Sequence, residues 1–215
     1  MIHELGKANS IFNQFLGELR DESQHHDRLR FRNNLQRLGE IFAYEISKDL
    51  DYVAKDIVTP LGEVTMRMPG QFPVLATVLR AGVPFHSGFL NYFDRSDSAF
   101  VSAFRKRLAN DEDFKVEVEY MSSPDLEGKE LIIVDPMLAT GRSMVLVYRD
   151  LIKKGKPKNI HIAAVLATKE GIDNVRKNLP PNTKFWVGAI DDELTAQSYI
   201  VPGLGDAGDL SYGKK

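Results

Sequence analysis

The sequence predicts an α/β fold: a doubly wound, mainly parallel sheet with N-terminal helices and a protruding β-arm. Three observations lead there. Apolar residues in the first fifty positions recur at helical spacing. Five later runs, at 73–79, 99–104, 131–134, 160–167 and 185–190, are short and mostly continuous in apolar or β-branched residues, as strands covered on both faces are. Helical stretches lie between them, giving the strand, helix, strand alternation of doubly wound folds.

Taken in chain order, 12–19 and 29–50 predict helices, with Leu35, Leu38, Phe42 and Ile46 on one stripe. The whole of 1–55 is expected to be helical in character. Helices are expected again at 84–92, 142–154 and 171–178. Two segments break the rhythm, and loops beyond the carboxyl ends of parallel strands form the usual ligand crevice. The first, 105–124, opens with Arg105-Lys106-Arg107, passes an acidic turn at Asp111-Glu112-Asp113 and continues with the alternation of an exposed strand. It reads as the β-arm, able to close over a site. The second, 199–209, holds three glycines and a proline and reads as a shaped loop rather than a regular element.

The 215 residues, 43% hydrophobic and 27% charged, fit one domain spanning 1–215 with a sizeable core. A net charge of -2 gives no basic field to draw the chain to nucleic acid or to an anionic membrane, so neither is expected as a partner. With no cysteine there is no disulfide framework, thiol nucleophile or thiolate metal site, which suits a reducing cytoplasm. The polar N-terminus reads as neither signal peptide nor membrane span. No histidine and acid cluster has metal-ligand spacing, and His25, His26, His86 and Trp186 receive no role.

The chemistry concentrates in Asp135-Pro136-Met137-Leu138-Ala139-Thr140-Gly141-Arg142-Ser143, which follows the apolar run 131–134 and opens a helix. Gly141 lets the backbone close on an anion, and Thr140 and Ser143 carry hydroxyl donors. The free N–H groups of the helix start point outward with the positive end of the dipole. Such a turn suits a phosphate monoester, although a simple helix cap uses the same residue types. Asp135, an acceptor-only group at the strand end, suits ribose hydroxyls. The segment has neither the spacing nor the lysine of a nucleoside-triphosphate P-loop, and no dinucleotide fingerprint is present.

An apolar run, Asp135 and then Ala139-Thr140-Gly141 resemble the phosphoribosyl diphosphate signature of type I phosphoribosyltransferases. Pro136 stands where most of that superfamily carries a second acid, as it does in the uracil phosphoribosyltransferase family. The tail Tyr199-Ile200-Val201-Pro202-Gly203-Leu204-Gly205-Asp206-Ala207-Gly208-Asp209 is similar, almost residue for residue, to that family's base-binding loop. Val78-Leu79-Arg80-Ala81-Gly82, Leu19-Arg20-Asp21 and Phe31-Arg32 match further family patterns.

The resemblance implies an enzyme joining uracil to phosphoribosyl diphosphate to give UMP and diphosphate in pyrimidine salvage. It implies a homo-oligomer, a dimer or higher, and Mg2+ carried mainly by the substrate, with no protein metal site. Arg80 and Arg105 are then diphosphate contacts, while 135–143 and Asp206 hold the sugar phosphate. Ile200, Gly205, Asp206 and Ala207 meet uracil, the first, second and fourth through their backbones. Asp135, Arg105 and Asp206 are the expected catalytic residues, and the N1 proton of uracil leaves to Asp206 or to solvent. Tyr199 either stacks near the base or packs structurally. Arg142 stands where many members have glycine, and the arm after Arg105 departs from the family wording. A phosphoribosyltransferase-fold regulatory protein that binds RNA is the alternative, and other bases, such as hypoxanthine or orotate, are argued against by the tail.

Overall fold

A computed structural model describes residues 1–107 and 114–214, with the side chains of 103–117 outside the described set. A short strand, β1 (Ile2–Glu4), leads to helices α1 (Ile11–Arg20) and α2 (Arg28–Ser47), then to strands β2 (Tyr52–Thr59) and β3 (Gly62–Pro69). There follow β4 (Val74–Leu79), α3 (Gly82–Tyr92), β5 (Ser98–Arg107), β6 (Phe114–Ser122), β7 (Glu130–Val134), β8 (Met137–Leu138) and α4 (Arg142–Leu151). The chain ends with β9 (Asn159–Thr168), α5 (Lys169–Asn178), β10 (Lys184–Asp191), β11 (Glu193–Leu194), β12 (Ile200–Val201) and α6 (Ala207–Tyr212).

The central sheet has the order β1-β10-β9-β7-β4-β5-β6, with β8 paired to β9. Every pairing in it is parallel except β5 with β6. Successive residues of the buried strands serve opposite cores, which is why their sequences are continuously apolar. Leu75, Ile132, Ala163 and Val165 pack with α1, α2 and α3 on one face. Ala76, Ile133, Ile162 and Ala164 pack with α4 and α5 on the other.

From β4 the chain winds outward through β5 and β6, and from β7 it winds the other way through β9 and β10. The β4/β7 boundary is therefore the switch point, where the connections leave a crevice beyond the strand ends. Arg80 directly follows β4 and Asp135 directly follows β7.

Several expectations need correction. The region 1–55 is not all helical. Ile2–Glu4 forms an edge strand on β10, and α2 ends at Ser47, where a hairpin begins within a few residues. That hairpin, β2 with β3, forms a separate two-stranded sheet turned by Thr59-Pro60-Leu61-Gly62, where the Thr59 hydroxyl accepts from Leu61 N and donates to Gly62 O. The tail is more regular than expected: Ile200–Val201 pairs with Glu193–Leu194, and 207–212 is helical. The predicted helix 142–154 is α-helical only to Leu151 and finishes as a 3-10 turn. The β-arm is the antiparallel pair β5–β6, and residues 108–113 lie outside the described residues.

Candidate active site

The strand that carries Asp135 is interrupted rather than ended. Asp135 N–H still donates to Ala163 O at 3.1 Å, but Pro136 has no N–H to give, and the chain resumes along β9 as β8. Pro136 is buried and its carbonyl accepts from Leu166 N at 2.9 Å, so it shapes the bend without lining the crevice. Asp135 Oδ1 accepts from Met137 N at 3.2 Å. Burial pushes the Asp135 carboxyl up to about 7 against the opposing pull of that N–H. A carboxylate held this way gains most from a cation or hydroxyl donors brought in by a ligand.

The next turn is built by close approach. Gly141 has φ 72°, and a Cβ there would lie 2.6 Å from Gly171 O, so only glycine fits. From behind, Thr168 Oγ1 donates to Ala139 O at 2.7 Å and accepts from Gly171 N at 2.9 Å. Asn174 Nδ2 donates to Thr140 O at 2.7 Å. With those carbonyls tied to α5, the turn leaves Thr140, Gly141 and Ser143 on the crevice, ahead of the N-terminus of α4. Arg142 is exposed and does not line the crevice, because its place in the first turn of α4 carries its side chain to solvent.

The loop 198–208 forms the opposite wall. Asp206 caps α6, its Oδ1 accepting from Gly208 N at 2.9 Å and Asp209 N at 3.0 Å. Ser198, with φ 63°, Tyr199, Ile200, Gly205, Asp206, Ala207 and Gly208 face Asp135 and 137–141 across a cavity of about 190 Å³. A second lobe of about 140 Å³ is lined by Val78–Ala81, Asp135, Ser143, Asp206 and Gly208. Asp135 and Asp206 border both lobes.

The structure thus gathers Arg80, Asp135, Met137, Leu138, Ala139, Thr140, Gly141, Ser143, Ile200, Gly205, Asp206 and Ala207 around one crevice. Pro136 and Arg142 stand outside it, and the Arg105 side chain lies outside the described residues. Arg80 Nη2 meets Asp209 Oδ1 and Gly213 O, each at 3.3 Å. Sequence reasoning missed the braces Thr168 and Asn174, as well as Ser198. The one legible signal among them was Thr168, which ends an apolar run three residues before Gly171 in the pattern of a helix cap.

A solved structure of an Aquifex aeolicus protein superposes with a TM-score of 0.87 at 28% identity, covering 99% of this chain and 98% of that one. A hypoxanthine phosphoribosyltransferase from Staphylococcus aureus shares the fold, with a TM-score of 0.51 at 16% identity over 76% of each chain. The mainly parallel sheet and its switch-point crevice make this fold that of the type I phosphoribosyltransferases. Within that class, the family model described as uracil phosphoribosyltransferase matches residues 8–214. A uracil phosphoribosyltransferase from Porphyromonas gingivalis is 53% identical, covering 100% of this chain and 99% of the relative. One from Pyrococcus furiosus is 36% identical over 94% of this chain and 85% of the relative. The chain belongs to the uracil phosphoribosyltransferase family, and the RNA-binding alternative finds no support among these relatives. No helix among the described residues is long and apolar enough to cross a membrane.

Proposed function

We propose that the chain joins uracil to phosphoribosyl diphosphate, releasing UMP and diphosphate, and that it serves pyrimidine salvage in the cytoplasm. The observation that carries this reading is the single crevice shared by the phosphate turn 139–143 and the base loop 198–208. One wall suits a phosphate monoester and the other presents a glycine-shaped backbone, so a sugar phosphate and a flat base meet between them.

In the reaction, uracil N1 forms a bond to C1′ as the C1′ to diphosphate oxygen bond breaks, and the N1 proton passes to Asp206 or to solvent. Charge develops on the ribosyl centre and on the departing diphosphate, so stabilising both matters more than a strong base. Asp135 holds the ribose hydroxyls and its negative charge favours the cation-like ribosyl centre. Arg80, at the mouth of the second lobe, and Arg105, on the β-arm, neutralise the leaving group. Thr140, Gly141 and Ser143 anchor the 5′-phosphate. Ile200, Gly205 and Ala207 offer backbone groups to the pyrimidine edge, and a base that cannot match those groups is disfavoured.

Mg2+ is expected to arrive with the substrate. Diphosphate and ribose oxygens would hold the ion, with Asp135 binding the ribose hydroxyls beside it. When bound, Mg2+ neutralises the diphosphate and eases its departure.

The hairpin β2–β3 supports assembly as a homo-oligomer. Its cross-strand pairs place Val53, Ile57, Val64, Met66 and Met68 on one side, with Lys55 among them, and Tyr52, Ala54, Asp56, Val58, Glu63, Thr65 and Arg67 on the other. Val64 and Met66 are 46% and 50% exposed, and no residue of either strand is buried. A lone two-stranded sheet is marginal in water, so an apolar side of this kind is stabilised when another copy covers it.

The test is diphosphate release with phosphoribosyl diphosphate, Mg2+ and uracil, cytosine, orotate, hypoxanthine or adenine in parallel, with Asp135→Asn as control. Turnover with uracil alone, abolished by the substitution, is expected. Binding of phosphoribosyl diphosphate without turnover of any base would refute the reading.

A further inference from the structure

The base loop is held in place by a clamp that reaches across the whole chain. Arg20, the last residue of α1, donates from Nη1 to Asp191 Oδ2 and from Nη2 to Asp191 Oδ1, both at 2.8 Å. The same Nη1 donates to Gly203 O at 3.0 Å, and Gly203 N–H donates to Asp191 Oδ2 at 2.9 Å. Both backbone polar groups of Gly203, its N–H and its C=O, are therefore fixed by one ion pair at the end of β10. Burial alone would raise the Asp191 carboxyl, yet Arg20 and the Gly203 N–H hold it below the ordinary carboxylate value.

Gly203 sits between the residues that line the crevice. It has φ 59°, and a Cβ there would lie 2.1 Å from Ile200 O, so the turn 200–203 is tight. Ile200 and Gly205 face the cavity on either side of it. Regular structure does little to hold this stretch, since β11 and β12 contribute only two residues each. Ile200 and Leu204 are its buried apolar anchors before Ala207. The clamp supplies the direction that those anchors do not.

Building on the reading that 200–207 receives the base, we propose that Arg20 and Asp191 are positioning residues for uracil, acting through Gly203 without touching the base. A bidentate guanidinium-carboxylate pair fixes orientation as well as distance, and a lysine in place of Arg20 supplies the charge but not the fork. The clamp should therefore govern base binding and base choice, and leave the phosphate turn, braced separately by Thr168 and Asn174, largely unaffected.

The experiment measures initial rates of wild type, Arg20→Ala, Arg20→Lys and Asp191→Asn, varying uracil and phosphoribosyl diphosphate in turn, with cytosine as competing base. For Arg20→Ala we expect the KM for uracil to rise about ten-fold or more, since small misplacements of binding groups cost heavily. The KM for phosphoribosyl diphosphate should stay within about two-fold, discrimination against cytosine should fall, and added guanidinium ion should restore uracil binding in Arg20→Ala but not in Arg20→Lys. An unchanged uracil KM would overturn the proposal, and so would equal rises for both substrates without guanidinium rescue. Should Arg20→Ala not fold, Arg20→Lys and Asp191→Asn carry the same KM criteria. Absence of uracil turnover in wild type would instead remove the functional reading beneath it.

Discussion

At Asp135, burial works against the ionised carboxyl in the folded protein. Its folded pKa is raised, so folding favours the protonated carboxyl. That preference is fully present below the unfolded value of 3.8 and is lost as pH rises towards about 7. At neutral pH and above, the empty enzyme therefore carries a desolvated charge that a bound cation or ribose would offset. Asp135→Asn removes the ionisation and should raise the melting temperature at about pH 8 by about 2–8 °C while abolishing turnover. Thermal scans from about pH 4 to pH 8 should show the gap between wild type and variant widening with pH. A variant that melts lower than wild type at every pH would mean that the carboxylate is already satisfied.

At the scale of elements, close helix contacts and a polar network join the helices of the N-terminal layer to one another. Helices α2 and α3 approach through Gly39 and Gly88, where an added Cβ would lie 2.2 Å from Phe85 O and 2.0 Å from Gln36 O. Gly88→Leu must push the helices apart, and a loss of about 1–3 kcal/mol or more in urea unfolding is expected. The pair α1–α2 is tied by Glu18, which accepts from Arg30 Nε and Nη2, Gln14 Nε2 and Asn34 Nδ2 at 2.6–2.8 Å. Arg30 above all, with Gln14 and Asn34, holds the Glu18 carboxyl down to about 2. For a depressed carboxylate the stabilisation is present above the unfolded value of 4.5 and is lost as pH falls towards 2. Glu18→Gln should therefore lower stability at neutral pH and flatten the acid limb of the stability curve, which denaturant titrations at several pH values would reveal.

For the molecule as a whole, the proposed homo-oligomer is tested at the exposed side of β2–β3 that carries Val64 and Met66. Placing like charges on it, by Val64→Glu with Met66→Glu, should shift the protein towards monomer in light scattering after size exclusion, with the central sheet intact by circular dichroism. A monomeric wild type, or an oligomer insensitive to the double substitution, would remove the hairpin from the interface. Only β3 alternates along the strand, and the hairpin is turned by Thr59-Pro60-Leu61-Gly62. It was missed because the helical pattern of α2 was carried past Ser47, and because Lys55 and Asp56 break the apolar alternation.

Local pattern by itself determined the alternation of buried strands and helices, and it singled out the Asp135 to Ser143 segment and the glycine-rich tail that the fold brings to one crevice. A strand buried on both faces must be continuously apolar, and a phosphate turn needs small and hydroxyl-bearing residues at a helix start, so both leave short-range signatures. Strand order, the placing of Pro136 and Arg142 outside the crevice, and the bracing of the turn by Thr168 and Asn174 were decided only by the tertiary structure. So was the Arg20–Asp191 clamp, whose partners stand 171 positions apart. An ion pair between distant residues depends on how whole elements stack, and nothing in the spacing of either residue records its partner.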